Sequence, residues 1–214
     1  MLSPTGYHDG TRLDAIALLP NHLDRVMEIG CGTGATLAEL KRQGRCNWAG
    51  GVELASEPAQ IASGHLDQFW QGNIETLALD IDAASLDAIL CLDVLEHLTD
   101  PWSTLGRLTK LLRPGGLAVI SVPNIRNYRV LESLTLHGRW DYQPSGIMDR
   151  THLRFFTLRT AVELARGAGL MVDRTVPLIH LKRWRMKWLL QRLACGHLDE
   201  FYAEQFLLRG TKPS

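Results

Sequence analysis

The sequence reads as an α/β protein with a mostly parallel sheet, helices on both faces and an antiparallel pair at one edge. Three observations carry this. Short apolar runs of strand length alternate with amphipathic stretches of helix length from residue 13 to residue 122. The first run, Val26-Met27-Glu28-Ile29, breaks into alternating glycines at Gly30, Gly32 and Gly34, as a strand does when it turns closely around a ligand. The last two runs, near 170–176 and 203–210, are joined without an ordinary crossover, which predicts antiparallel pairing.

The elements follow in order. Leu13, Ile16, Ala17 and Leu19 recur at helical spacing, and Pro20 closes that helix. A strand over 25–29 runs into the glycine turn. A helix over 36–43, with Leu37 and Leu40 inward, is stopped by Gly44. A second strand covers 49–54, and Ser56 is placed to cap the helix that Glu57 and Pro58 begin. Strands over 68–71 and 86–92 come next, the latter apolar except for Asp87. Asp100-Pro101 is an N-cap and N1 pair; Leu105, Leu108, Leu111 and Leu112 form the buried stripe behind it. Pro114-Gly115-Gly116 ends that helix and turns into a strand over 117–122. Residues 123–157 show no clean period and read as a long functional loop. A helix over 158–168, stopped by Gly169, precedes the two final strands.

The 214 residues are 45% hydrophobic and 21% charged, so they suit one domain with a substantial core and exclude bulk disorder. Lys+Arg 23 balances Asp+Glu 23, leaving no overall field to attract nucleic acid. No stretch has transmembrane length, and Met1-Leu2-Ser3-Pro4 lacks the basic and apolar regions of a signal peptide, so a cytoplasmic location is expected. Cys31, Cys46, Cys91 and Cys195 show neither a CxxC nor a metal-ligand spacing; reduced thiols and no metal site are expected. Residues 180–197 carry five basic residues and no acid up to Arg192, with Trp184 and Trp188. An interfacial membrane helix needs one apolar face, whereas here the apolar residues spread round the wheel, which favours a substrate cap or a dimer contact. A monomer and a homodimer are both compatible with the sequence.

Two ligands fit the glycines. Gly30-x-Gly32-x-x-Ala35, with Glu53 about where a ribose-binding acid belongs, satisfies the dinucleotide fingerprint and keeps a nicotinamide-dependent dehydrogenase open. Glu28 argues against it, because an acid beside the turn repels a pyrophosphate and tolerates a cofactor with an amine and a sulfonium. The run Glu28-x-Gly30-x-Gly32-x-Gly34 resembles the first motif of class I S-adenosylmethionine-dependent methyltransferases. Glu53 resembles the family's ribose-binding acid. Gly72-Asn73-Ile74-Glu75 is similar to the adenine-contacting motif, with Asn where Asp is more usual. Cys91-Leu92-Asp93-Val94-Leu95-Glu96-His97 is similar to the segment after strand four in ubiquinone-biosynthesis O-methyltransferases. Leu112-Arg113-Pro114-Gly115-Gly116 resembles the entry to strand five, and 202–213 the seventh strand.

This resemblance covers about 13–212. It implies a Rossmann-like, seven-stranded sheet and S-adenosylmethionine held by Glu28, Gly30, Cys31, Gly32, Gly34, Glu53, Leu54, Asn73, Ile74, Leu92 and Asp93. The expected acceptor is a small molecule, with oxygen favoured; the alternative is a partner protein that binds the cofactor without turnover. Methyl transfer to a hydroxyl needs in-line positioning and removal of a proton. His97, just past strand four, is one candidate base, its other role being to order its own loop. His152 is the second, in Asp149-Arg150-Thr151-His152-Leu153-Arg154-Phe155-Phe156, a segment similar to one in sugar and quinone methyltransferases. An extended backbone there puts Arg150, His152 and Arg154 on one side. Asp149, Arg154 and Tyr128 are candidate substrate contacts; alternatively Asp149 and Arg154 pair to pin the loop. Tyr7 and Arg12 precede the first helix, where relatives fold an arm over the cofactor.

Overall fold

The structure, a computed structural model, describes residues 10–179 and 199–214. Along the chain lie α1 (Leu13–Ile16), β1 (Leu23–Ile29), α2 (Ala35–Arg42), β2 (Cys46–Glu53), α3 (Ser56–Ala62), β3 (Gln68–Gln71) and β4 (Leu86–Leu92). A 3-10 turn (Leu95–His97), α4 (Pro101–Leu108), β5 (Leu112–Pro123), α5 (Tyr128–His137), α6 (Leu158–Gly167) and β6 (Met171–Leu178) follow. The last elements are α7 (Asp199–Tyr202) and β7 (Gln205–Thr211).

The strands form one sheet in the order β3-β2-β1-β4-β5-β7-β6. The first five are parallel, and β7 runs antiparallel to both β5 and β6. The chain winds outward from β1 through β2 to β3, then returns to lay β4 on the other flank of β1. That reversal opens a crevice at the carboxyl ends of β1 and β4, where open α/β sheets bind ligands.

Alternation along the central strands builds two cores. Met27, Ile29, Ile89, Cys91 and Ile120 face one side and pack with Leu105 and Leu108 of α4 and Ala161 and Leu164 of α6. Val26, Ala88, Leu90 and Val119 face the other side and pack with Ala15 and Ile16 of α1 and Leu37 and Leu40 of α2. All seven residues of β4 are buried, including the acid in its apolar run. Asp87 tolerates this because its carboxylate accepts from the backbone N–H groups of Asp24 and Arg25, both at 2.7 Å, and from the Arg113 guanidinium.

The helix starts follow their capping residues. The Asp100 carboxylate accepts from Ser103 N at 3.0 Å, with Pro101 in the first turn of α4. Thr157 and Thr160 form a reciprocal capping box at α6.

Several expectations are corrected. The cap of α3 is Ala55, and Ser56 is already helical. Strand β2 begins at Cys46 and stops at Glu53, one residue before Leu54. The first helix is one turn long; Leu18 and Leu19 are buried beyond it without continuing it. Leu111 and Leu112 do not extend α4: Leu112 opens β5, which runs through Pro114-Gly115-Gly116. A side chain at Gly116 would stand 2.8 Å from Arg113 O and 3.1 Å from Leu86 O, so the chain passes there only as glycine. The segment 123–157 is not all loop, since α5 lies within it. Its apolar residues, Leu134 and Leu136 among them, are not buried against the core. Tyr7, Cys195 and the basic stretch 180–197 lie outside the described residues, and so do their expected roles. Cys31, Cys46 and Cys91 are free thiols. Among the described residues, no helix is long and apolar enough to cross a membrane.

Candidate functional site

The crevice is a cavity of about 870 Å³. Its walls are the glycine turn, the ends of β2, β3 and β4, the 3-10 turn and the loop around 144–151. The glycine turn continues the sheet: Gly30 N and Cys31 N both donate to Val52 O, at 2.8 and 3.0 Å. Gly30 has φ +68°, and a Cβ there would lie 2.3 Å from Val94 Cγ2. Glycine is required on both counts. Gly32 N then donates to Glu53 Oε2 at 2.8 Å, while Glu53 Oε1 accepts from Ala55 N at 2.8 Å. Each oxygen keeps a second acceptor position, and Glu53 lies on the cavity wall.

Glu28 is also on the wall and only 3% exposed. Its Oε2 has no hydrogen-bond partner. Burial pushes this carboxyl up to about 8, against the opposing charge of Arg12 and a hydrogen bond to Thr36. A buried carboxyl oxygen without a partner asks for a donor or a cation. A pyrophosphate is the wrong occupant for this wall, and an amine-bearing, phosphate-free cofactor suits it. The residues present therefore fit S-adenosylmethionine.

Asp93 closes the end of β4 in a left-handed conformation, φ +57°, a strained geometry for a non-glycine residue. It is held there by Ser121 Oγ at 2.8 Å and Gln205 Nε2 at 3.0 Å, both donating to Oδ1. Arg12 Nη1 pairs with Asp93 Oδ2 at 2.6 Å, and Arg12 Nε with Asp14 Oδ1 at 3.0 Å. Arg12 thus ties the start of α1 to the site and lines the cavity.

Of the expected cofactor residues, Glu28, Gly30, Cys31, Gly32, Glu53, Leu54, Asn73, Ile74, Leu92 and Asp93 line the cavity. Gly34 is not on its wall; at φ +78° it caps α2 beside His65 and Leu66. The Asn73 amide oxygen, offered by the sequence to an adenine, accepts from Glu75 N at 2.9 Å and so also closes a local turn.

The two histidines separate. His97 lines the cavity, whereas His152 lies behind it, 5% exposed, with ring centroids 4.7 Å apart. His97 Nδ1 meets Thr151 O at 3.3 Å and Thr151 Oγ1 at 3.1 Å. The Thr151 hydroxyl donates to Asp149 Oδ1 at 2.7 Å. With that hydroxyl proton used there and a carbonyl only accepting, His97 Nδ1 is the donor, so the neutral ring carries its lone pair on Nε2. His152 Nδ1 meets Ile147 O at 3.0 Å, which assigns the same tautomer. Burial lowers the affinity of His152 for a second proton.

Asp149 is on the cavity wall, but Tyr128 and Arg154 are not. Tyr128 packs edge-on against Tyr202 with centroids 5.5 Å apart. The expected Asp149–Arg154 pair is replaced by separate partners: Asp149 holds Thr151, while Arg154 donates to Thr99 O and stands over Trp102. The segment is not extended at its start either, as His152 N donates to Asp149 O in a turn. Thr36, Ser145 and Leu98 also line the cavity without having been singled out. Thr36 was legible as the first-turn residue of α2 facing back to β1, but the irregular loop around Ser145 offered no signal.

A family model described as a methyltransferase domain matches residues 10–175. The chain is 29% identical over 155 residues to the ubiquinone biosynthesis O-methyltransferase of Aeromonas salmonicida, covering 69% of this chain and 63% of that protein. It is 31% identical over 165 residues to the protein of the same name from Cupriavidus pinatubonensis, covering 74% and 64%. The chain therefore spans less than two thirds of the length of these curated relatives. A SAM-dependent methyltransferase from Archaeoglobus fulgidus superposes with a TM-score of 0.68 at 17% identity, covering 94% of this chain and 91% of that one. The motif order, the cavity they build and a family match over well over half of the sequence lead to one conclusion: the chain belongs to the methyltransferase domain family, in its class I S-adenosylmethionine-dependent branch.

Proposed function

We propose that this protein transfers a methyl group from S-adenosylmethionine to an oxygen of a small-molecule acceptor. The observation that carries the reading is the lining of the cavity: an acid with one unpartnered carboxyl oxygen just before the glycine turn, and a histidine that the loop residue Thr151 holds through Nδ1. The named activity of the curated relatives supports oxygen as the acceptor atom.

When bound, the cofactor supplies an electrophilic methyl carbon on a sulfonium. Glu53 would take the ribose hydroxyls, Asn73, Ile74 and Leu54 the adenine, and Glu28 and Asp93 the amino-acid end, with Gly30, Cys31, Gly32 and Leu92 shaping the wall. His97, the histidine on the wall, accepts the acceptor's proton on Nε2 while Thr151 and Asp149 hold its ring. His152 supports His97 from behind. Asp149 and the exposed wall residues Ser145 and Arg150 face the acceptor side.

Transfer of a labelled methyl group to a panel of phenolic and sugar hydroxyl acceptors tests the reading, alongside calorimetric binding of S-adenosylhomocysteine and nicotinamide dinucleotide. The expected result is binding of the first nucleoside and methylation of at least one acceptor. Dinucleotide binding in preference would overturn the cofactor assignment. Homocysteine-nucleoside binding with no product across the panel would replace the enzyme with a cofactor-binding partner protein.

A further inference from the structure

The segment 123–157 carries five arginines, Arg126, Arg129, Arg139, Arg150 and Arg154. Four are committed locally: Arg126 to Glu200, Arg129 to Glu204, Arg139 to Asp141 and Arg154 to Thr99 O. None of those four lines the cavity, whereas Arg150 does. Among the described residues the Arg150 guanidinium has no ion-pair or hydrogen-bond partner. The other guanidinium on the wall, that of Arg12, is already taken up by Asp14 and Asp93. Arg150 is also held in place by its backbone. Gln143 N donates to Met148 O at 2.7 Å and Arg150 N to Gln143 O at 3.0 Å, closing the loop on itself. The next residue, Thr151, meets His97 Nδ1 through both its carbonyl and its hydroxyl. A fixed loop thus presents an uncommitted cation to the cavity, one position along from the residue that grips the wall histidine.

We propose that Arg150 binds a carboxylate of the acceptor, which makes the substrate class of this cavity hydroxy acids. A guanidinium presents a planar fork of N–H donors that matches a carboxylate through two parallel hydrogen bonds. Arg150 is exposed at the mouth and keeps water on its outer side, so the pair forms without the desolvation cost of a buried one. The rest of the wall sets how much negative charge the ligand can bring. Glu28, Glu53, Glu75, Asp93 and Asp149 line the same cavity against only two guanidiniums. One negative charge opposite Arg150 is favourable there, whereas a phosphate dianion meets the repulsion of the acids. Anchoring one end of the acceptor at Arg150 also limits which of its hydroxyls can reach His97, so the same contact selects the position that reacts. That selection rests on the methyl-transfer reading; binding of the carboxylate does not, and the two fail separately.

The test uses the purified full chain, with and without saturating S-adenosylhomocysteine, titrated by calorimetry with hydroxy acids and their neutral counterparts. The probes are 4-hydroxybenzoate and glucuronate, each against its methyl ester, with glucose 6-phosphate as the dianion. The expected result is that at least one acid binds about 10- to 100-fold more tightly than its ester. That preference should disappear in Arg150→Gln and be partly kept in Arg150→Lys, which retains the charge without the fork. Arg150 is exposed, so neither variant disturbs the core. Equal affinity for acid and ester throughout, no binding of either acid, a preference that survives Arg150→Gln, or tighter binding of the phosphate would each overturn the assignment. An acid bound through Arg150 but never methylated supports the assignment and counts against the methyl-transfer reading instead.

Discussion

Glu28→Gln removes a titrating group while keeping its shape, and the consequences can be worked out for each pH. The carboxyl sits near 8 in the folded chain against 4.5 when exposed. A raised carboxyl makes the folded state hold its proton longer than the unfolded state does, so stability is unaffected below about pH 4.5 and falls as pH rises from there to 8. Once the group is fully ionised the loss levels off at a value on the order of 5 kcal/mol. Glu28→Gln stays neutral throughout, so between pH 5 and pH 9 the wild-type protein should lose about 4 kcal/mol relative to the variant. Urea denaturation of the ligand-free proteins at intervals across that range measures the difference directly. Taking the variant as reference cancels every other titrating group, including Glu96. The same substitution should weaken S-adenosylhomocysteine binding, because Gln cannot ionise to meet the ligand's ammonium end as Glu28 can. A variant that is more stable at pH 9 yet binds less well is the expected pair of outcomes. Parallel stability profiles for the two proteins would refute the assignment of Glu28 as a buried acid awaiting a partner.

Other substitutions probe different links. His97→Ala should lower turnover about 100-fold, the low end for loss of a general base, while S-adenosylhomocysteine affinity measured by calorimetry stays within a factor of two or so. Gly30→Ala forces a side chain into a left-handed backbone and against Val94 Cγ2. A loss of about 2–3 kcal/mol in urea denaturation is expected, partly recovered on a Val94→Ala background. Asp87→Ala strands the N–H groups of Asp24 and Arg25 that now share one carboxylate oxygen. The expected loss is about 2–4 kcal/mol, read from the shift in denaturation midpoint. Asp100→Ala, which removes only the cap of α4, should cost about 1 kcal/mol and lower the melting temperature by a few degrees.

The parts of the fold visible in the sequence were those whose cause is local. The buried run of β4 and the Asp100-Pro101 start of α4 each follow from side chains within a few residues. The cofactor side of the cavity was legible for the same reason: strand ends and glycine turns come from backbone constraints written at one place in the chain. What escaped depends on distant partners. Leu86 O approaches Gly116 from the neighbouring strand, and α5 buries none of its residues although Tyr128, Leu131 and Leu134 recur at helical spacing. The relation of His97 to His152 is set by Glu96 O, which two backbone N–H groups 57 and 58 positions later find. No periodicity encodes such a contact, so spacing alone could not tell the wall histidine from the one behind it.

The placement of β7 has a consequence for how the molecule is made. This strand is later in the chain than β6, yet it sits between β6 and β5. Until β7 is synthesised, β6 has no strand to pair with, and β5 presents a bare edge. The five parallel strands can assemble early, but the sheet closes only with a long-range insertion, which loop-closure entropy makes slow. A nascent chain halted between β6 and β7 therefore carries two open edges at once, and that stage is where a chaperone is needed or aggregation begins.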